Sequence, residues 1–310
     1  MSEPLVTAVI PTKDRAALCV RAVESVLAQT WCNIECIVVD DGSADGTSAI
    51  LSERFGDRIR VVRNEVNQGV ALARNRAIGL ARGTYLAFLD SDDEWLPEKT
   101  ARQVELAERG AGVVYCRAVN VTPDGNVLSI QPARHRGDLS RTLLLDDVIG
   151  SPSKVLLRRS CLDGLPLFQP GIHTEDWELW IRLSFRTRFD FVPEVLVRMQ
   201  FDLGSRHWTA PAEQCIASDR AIYAGLESDP LVRDAVRAFR RRIESTIDYR
   251  GAGHQHMEGD RRAALRSLLR SVRRDPRRLR AWKLLAVVAA GGRFTAAARK
   301  LRSWVLSRRG

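Results

Sequence analysis

The chain has 310 residues, 45% hydrophobic and 28% charged, a balance that suits a soluble globular protein of one large domain, or one large and one small. Its net charge of +10 is uneven: residues 254–310 carry 16 Lys and Arg against Glu258, Asp260 and Asp275, a net of +13 that leaves residues 1–253 at −3. The longest apolar run, residues 284–290, is far below the roughly 20 residues a membrane-spanning helix needs.

The N-terminus has no basic stretch and an early proline, Pro4, so no signal peptide is expected. Six cysteines show neither CxxC pairing nor zinc-ligand spacing, which suits free thiols in a reducing cytoplasm. GxGxxG, GxxxxGK[ST], low-complexity tracts and clear internal repeats are all missing from the sequence.

Along the first 116 residues, short apolar runs alternate with amphipathic stretches. "VTAVI" (6–10) predicts a strand, and residues 15–29 predict a helix with Leu18, Ala22, Val23, Val26 and Leu27 on one face. "IECIVV" (34–39) is a second strand, followed by a helix that Asp45 would cap. "IRVV" (59–62) is a third strand, residues 70–81 a helix, and "TYLAFL" (84–89) a fourth strand. "PEKTARQVELAE" reads as a helix with Pro97 in its first turn. Strands alternating with helices predict an α/β fold with a doubly wound, mostly parallel sheet.

The polar signatures "PTKD", "DDGS", "NEVNQG" and "DSDDEW" follow the four strands in turn. Those positions are the carboxyl ends of parallel strands, where open α/β sheets bind ligands. Beyond residue 113 the pattern loosens. "PDG" (123–125) predicts a hairpin turn, "SKVLL" a strand, "TEDWELWIRLSF" a helix and "FDFVPEVLVRM" a strand broken by proline. After about residue 210 the spacing is helical, with basic amphipathic segments that include Trp282 and Trp304.

In "DSDDEW", Asp90, Asp92, Asp93 and Glu94 crowd together, so each carboxylate raises the pKa of its neighbours unless water or a cation intervenes. A calcium EF-hand is excluded, because counting from Asp90 puts Trp95 where glycine is needed and Ala101 where glutamate is needed. A solvated loop or helix start is the commoner use of such a cluster; among metals, Mg²⁺ or Mn²⁺ shared with a diphosphate-bearing substrate fits better than calcium. Asp40 and Asp41 serve either a turn and helix start or a base and ribose. Asn67, Gly69 and Arg74 open a helix whose free N–H groups favour an anion, although an exposed helical arginine is usually solvated. Thr174, Glu175 and Asp176 make a good helix start in their own right.

The segments "VIPTKDR", "SVLAQTW", "IVVDDGSADGT", "NQGVALARNRAIGLARGTYLAFLDSDDEW" and "TEDWELWIRL" together resemble the family 2 glycosyltransferases of the GT-A fold, over roughly residues 5–205. The resemblance implies a catalytic domain at 1–208, with a nucleotide-binding half to about 116 and an acceptor half beyond; charge and spacing add a basic helical region at 209–310. It implies that Pro11, Thr12, Lys13, Asp40, Asp41, Asn67, Gly69, Arg74, Asp90 and Ser91 surround a nucleotide-diphosphate sugar, with a UDP-sugar the expected donor. Asp92, with Asp90, would hold the divalent cation, Mn²⁺ or Mg²⁺. Asp176, beside Glu175, would be the general base of an inverting transfer, with Trp177 and Trp180 on the acceptor side.

Two positions depart from the family pattern. A late histidine is missing from "VRMQFDLGSRHW", where Asp202 or His207 could stand in, and Lys13 replaces an aromatic. The acceptor would be a saccharide or a lipid-linked one in surface polysaccharide or glycoconjugate synthesis. A polyprenyl-phosphate acceptor and a non-catalytic sugar-nucleotide-binding subunit are the alternatives. The basic C-terminal helices would be a helical cap with a solvated face or a contact with an anionic membrane at its inner face. No nucleic acid is expected.

Overall fold

The computed structural model describes residues 3–200 and 210–291. The chain divides into two compact units, Met1–Ser205 and Arg206–Gly310. The stand-ins considered for the late histidine, Asp202 and His207, and the last basic segment with Trp304 lie outside the described residues.

Among the described residues, the first unit is built on one sheet of nine strands: β1 Val6–Thr12, β2 Ile34–Asp40, β3 Arg60–Arg63, β4 Tyr85–Phe88, β5 Glu94–Trp95, β6 Val113–Val121, β7 Val127–Gln131, β8 Val155–Arg158 and β9 Phe189–Gln200. The strand order is β3-β2-β1-β4-β8-β6-β9-β5, with β7 paired to β6. β1 pairs in parallel with β2 and β4, and β2 with β3, so the loops after these four strands open at one edge. β6 passes through residue 116 without a break, so the two expected halves share one sheet.

β8 enters antiparallel between β4 and β6, which alternation of strands and helices did not predict. Its direction carries its leading segment, Pro152–Lys154, to the carboxyl end of β4. The proline in "FDFVPEVLVRM" does not interrupt the strand. Cys116 pairs with Val192 and Arg117 with Val195, so Pro193 and Glu194 bulge out of the ladder, where a missing N–H costs nothing.

Helices α1 Ala16–Leu27, α2 Thr47–Phe55, α3 Val70–Leu80, α4 Lys99–Glu108, α5 Ser140–Leu143 and α6 Glu175–Ser184 flank the sheet. One core joins Val6, Ala8 and Ile10 of β1 to Cys19, Ala22, Val23 and Val26 of α1 and Val104 of α4. The alternate residues of the strands face the opposite layer, where Phe88 of β4 packs against Phe168 and Trp180 of α6. Two helix starts differ from expectation. Gly46 occupies the N-cap of α2, although Asp45 still accepts from the Thr47 N–H at 3.0 Å. Pro97 precedes Glu98, the N-cap of α4, and so lies outside its first turn.

The second unit is helical: α7 Ala212–Ser228, α8 Arg233–Met257, α9 Arg261–Arg274 and α10 Leu279–Ala290. Ala252, Ala264, Leu268, Val272, Ala281 and Val288 form its small core.

Candidate active site

The carboxyl ends of β1, β2 and β4, the start of α6 and the segment before β8 carry most of the residues singled out in the sequence. Arg74, one turn into α3, is buried and binds two carboxylates. Its Nη2 donates to Asp90 Oδ1 at 2.7 Å, and its Nη1 donates to Glu175 Oε1. The guanidinium lies 5.2 Å from the centre of the Phe168 ring. Burial opposes its charge, but Asp90, Glu175 and Asp176 outweigh that and hold its pKa above the ordinary value. Arg74 thus ties "DSDDEW" to "TEDWELW", two motifs far apart in the chain.

The acidic loop is braced from the other side by the segment leading into β8. Asp90 N donates to Ser153 Oγ at 3.0 Å, Ser151 Oγ donates to Asp90 Oδ2 at 3.3 Å, and Trp95 Nε1 donates to the Ser153 carbonyl at 3.0 Å. Asp93, buried behind Asp90, accepts from Gln200 N at 3.2 Å. Burial and the charges of Asp90 and Asp92 push the Asp93 carboxyl well above the usual carboxylate range. Asp92 is also raised, by burial and then by Asp90, against the opposing pull of Arg15, whose Nη1 lies 2.6 Å from its Oδ2. Ser91 is buried between them.

Asp176 is half-buried at the start of α6, with Oδ1 accepting from Trp177 N at 2.8 Å. Burial, then Glu175 and Asp147, raise its pKa well above the usual range, against Arg74 and the Trp177 N–H. A carboxyl so placed takes up a proton more readily than an exposed one, the property a general base needs.

Among the described residues, no group of three or more His, Cys, Asp or Glu is arranged to hold a metal by itself. The donors present are carboxylate oxygens, and burial followed by their mutual repulsion raises Asp92 and Asp93, a setting that a hard divalent cation relieves when phosphate oxygens complete its shell. Asp92 and Asp90 therefore fit such an ion chemically.

The sequence of this site fits a known family. The profile described as Glycosyl transferase family 2 matches residues 7–165. The chain belongs to glycosyl transferase family 2.

Within the family, TuaG of Bacillus subtilis, a putative teichuronic acid biosynthesis glycosyltransferase, is 40% identical over 129 residues, 41% of this chain and 51% of TuaG. The chain therefore spans about half the length of that relative. WfgD of Escherichia coli, a UDP-Glc:alpha-D-GlcNAc-diphosphoundecaprenol beta-1,3-glucosyltransferase, is 31% identical over 183 residues, 59% of this chain and 71% of WfgD. Two solved structures share the GT-A fold. S. aureus TarS in complex with UDP-GlcNAc aligns with a TM-score of 0.64 at 18% identity, over 87% of this chain and 81% of that one. Mannosyltransferase PcManGT from Pyrobaculum calidifontis, in complex with GDP-Man and Mn²⁺, aligns with a TM-score of 0.63 at 20% identity, over 98% and 83%.

Several other residues of this family 2 chain singled out in the sequence have partners within the fold. Asp41, expected at base and ribose, already accepts from Asn64 Nδ2 at 2.7 Å, Gln68 N at 2.9 Å and Gly69 N at 2.7 Å. It folds the Asn67–Gly69 turn, whose Gly69 adopts φ +92. Asp40 accepts from Ser43 N at 2.9 Å and from Ser48 Oγ, and so starts α2. Pro11 and Thr12 are buried at the end of β1, and Lys13 pairs with Asp14 at 2.5 Å.

Trp177 and Trp180, expected on the acceptor side, are fully buried, with Trp177 Nε1 donating to the Leu143 carbonyl at 2.8 Å. Their rings fill the core and leave no face for an acceptor. The spacing of Trp177, Trp180 and Ile181 already marks one apolar helix stripe. Ser153 and Asp147 were missed, and a lone serine or aspartate in a loop carries no sequence signal to find it by.

Proposed function

We propose that this chain transfers a sugar from a nucleoside-diphosphate sugar, with a UDP-sugar first, to a sugar hydroxyl of a lipid-linked saccharide, with inversion at the anomeric carbon. The observation that carries this reading is the Arg74 bridge, which joins the acidic loop at Asp90 to the Glu175–Asp176 start of α6. A carboxylate pair suited to a diphosphate-bound cation and a carboxyl of raised basicity thereby belong to one site. The donor class is supported by the family, by the UDP-Glc in the name of WfgD, and by the UDP-GlcNAc and GDP-Man bound to TarS and PcManGT. The diphosphoundecaprenol acceptor in the name of WfgD supports the lipid-linked class; in this reading transfer takes place at the inner face of the membrane. No described helix is long and apolar enough to cross a bilayer.

In this reading Asp176 takes the proton of the acceptor hydroxyl as that oxygen forms its bond to the anomeric carbon. The bond from that carbon to the diphosphate breaks, and its electron pair leaves with the nucleoside diphosphate. One base opposite the leaving group gives a single displacement, hence inversion. Asp90 and Asp92 would hold a divalent cation, which supplies neutralisation of the leaving diphosphate. Arg74 fixes Asp90 and Glu175, Ser151 donates to the Asp90 carboxylate, and Ser153 holds the loop backbone at Asp90.

The test is a thermal-shift panel of UDP- and GDP-sugars with and without Mn²⁺. Stabilisation by one donor that disappears with chelator is expected, together with transfer that Asp176→Asn abolishes while donor binding survives. Wild-type transfer by Asp176→Asn, or donor binding indifferent to chelator, overturns the corresponding assignment.

A further inference from the structure

The α9 helix of the second unit carries six arginines, which fall into two sets. Arg261 donates to the carbonyls of Val288 at 2.9 Å and Ala289 at 2.5 Å, Arg270 pairs with Asp248 at 3.0 Å, and Arg274 pairs with Asp248 and Glu244. These three staple the helices of the unit together. Arg262, Arg266 and Arg273 are exposed and have no ion pair or hydrogen-bonded side chain among the described residues.

The second set is ordered. Positions 262, 266, 269 and 273 follow one another at helical spacings of four, three and four, so they share one outward stripe. The fourth member, Leu269, is 55% exposed. The opposite side of the helix is buried through Ala264, Ser267, Leu268, Ser271 and Val272. The next helix, α10, exposes Leu279 at 70% and Trp282 at 47% beside the exposed Lys283. Residues 261–291 hold ten basic side chains, and Asp275 is their only acid.

A solvated charged face does not require an exposed leucine within its stripe, nor a near absence of counter-charges along the segment. We infer that the stripe Arg262–Arg266–Leu269–Arg273 is a contact surface for an anionic lipid bilayer. Unpaired arginines meet lipid phosphates, and the apolar residues among them enter the boundary between headgroups and acyl chains. This deepens the proposed function by naming where the enzyme would meet the phase that holds a lipid-linked acceptor. Its test needs no catalysis, so the two stand or fall separately.

The experiment is flotation of the full chain with vesicles of about one-third phosphatidylglycerol in phosphatidylcholine, and with phosphatidylcholine alone, at several salt concentrations. Preference for the anionic vesicles that weakens with salt is expected. The combined variant Arg262→Glu, Arg266→Glu and Arg273→Glu should bind them at least about tenfold more weakly. Reversal of the exposed Arg58 and Arg60 in the first unit should leave binding unchanged, and Leu269→Ser should weaken it at every salt concentration. Thermal melts of each variant confirm that the helices still fold. Equal flotation with neutral vesicles, wild-type flotation of the triple variant, or capture by RNA without binding to vesicles overturns the inference.

Discussion

Arg74 of α3 and Glu175 of α6, 101 residues apart, form a buried ion pair at the centre of the candidate site. The same guanidinium holds Asp90, so one side chain neutralises part of each acidic motif. Removing one partner of a buried ionic cluster leaves the others uncompensated, at a cost of about 3–5 kcal/mol. Arg74→Leu should destabilise the first unit by about that much in denaturant unfolding. Arg74→Lys should recover little of it, because a single ammonium cannot span both carboxylates in the same fork geometry. A fully stable Arg74→Leu protein would show that the bridge does not hold the site together.

Asp176 trades stability for basicity. With its pKa raised in the fold, the folded chain keeps a proton that the unfolded chain releases, so stability falls as pH rises from the ordinary carboxylate range, about 4, through the raised value. Asp176→Asn should therefore melt at a higher temperature than wild type at neutral pH while losing transfer activity. The two melting temperatures should converge below about pH 4. Equal melting at neutral pH would count against the crowding of Asp176 by Glu175 and Asp147.

Lys99 gives a pH dependence of its own. It is fully buried at the start of α4, with Nζ 4.0 Å from the centre of the Trp95 ring and no hydrogen-bond partner among the described residues. Burial lowers its pKa from 10.5 to about 7, against a small opposing effect of Cys116. The unfolded chain binds the proton first as pH falls, so wild-type stability drops between 10.5 and about 7 and levels off below. Lys99→Met should melt above wild type at pH 7, with a gap that closes toward pH 10.5. A gap that ignores pH would mean that Lys99 stays charged in the fold.

Ser153 touches the acidic loop at Asp90 and Trp95 without reaching the solvent side. Groups that orient metal ligands commonly change metal affinity 10–100-fold when removed. Ser153→Ala should raise the Mn²⁺ concentration for half-maximal transfer by about tenfold and leave the maximal rate at saturating Mn²⁺ within a few fold. A lowered maximal rate at unchanged Mn²⁺ requirement would assign Ser153 a different part.

The parallel strands and their polar loops are legible in the sequence because alternation, helix spacing and strand-end chemistry are local. β1 to β4 and α1 to α4 fall within a few residues of expectation. The antiparallel entry of β8 is not legible, because no local pattern says which strand a four-residue run pairs with across the sheet. Asp41 shows the same limit at the site: "DDG" marks a special turn, but only the fold reveals that Asn64, Gln68 and Gly69 donate to its carboxylate. Arg74 read as a phosphate or base contact because its helix opens at the ligand edge. Its acidic partners arrive from elsewhere in the chain.

The reversed direction of β8 sets an order of assembly. A growing chain can zip the first four strands side by side by residue 88, yet the loop that follows stays unbraced until Ser153 is made, 63 residues past Asp90. Glu175 and Gln200 join later still, the latter 107 residues beyond Asp93. Such distant pairings are slow to form. Competence of the site is therefore a late event in the life of each new molecule, waiting first on a short strand and then on the residues made after it.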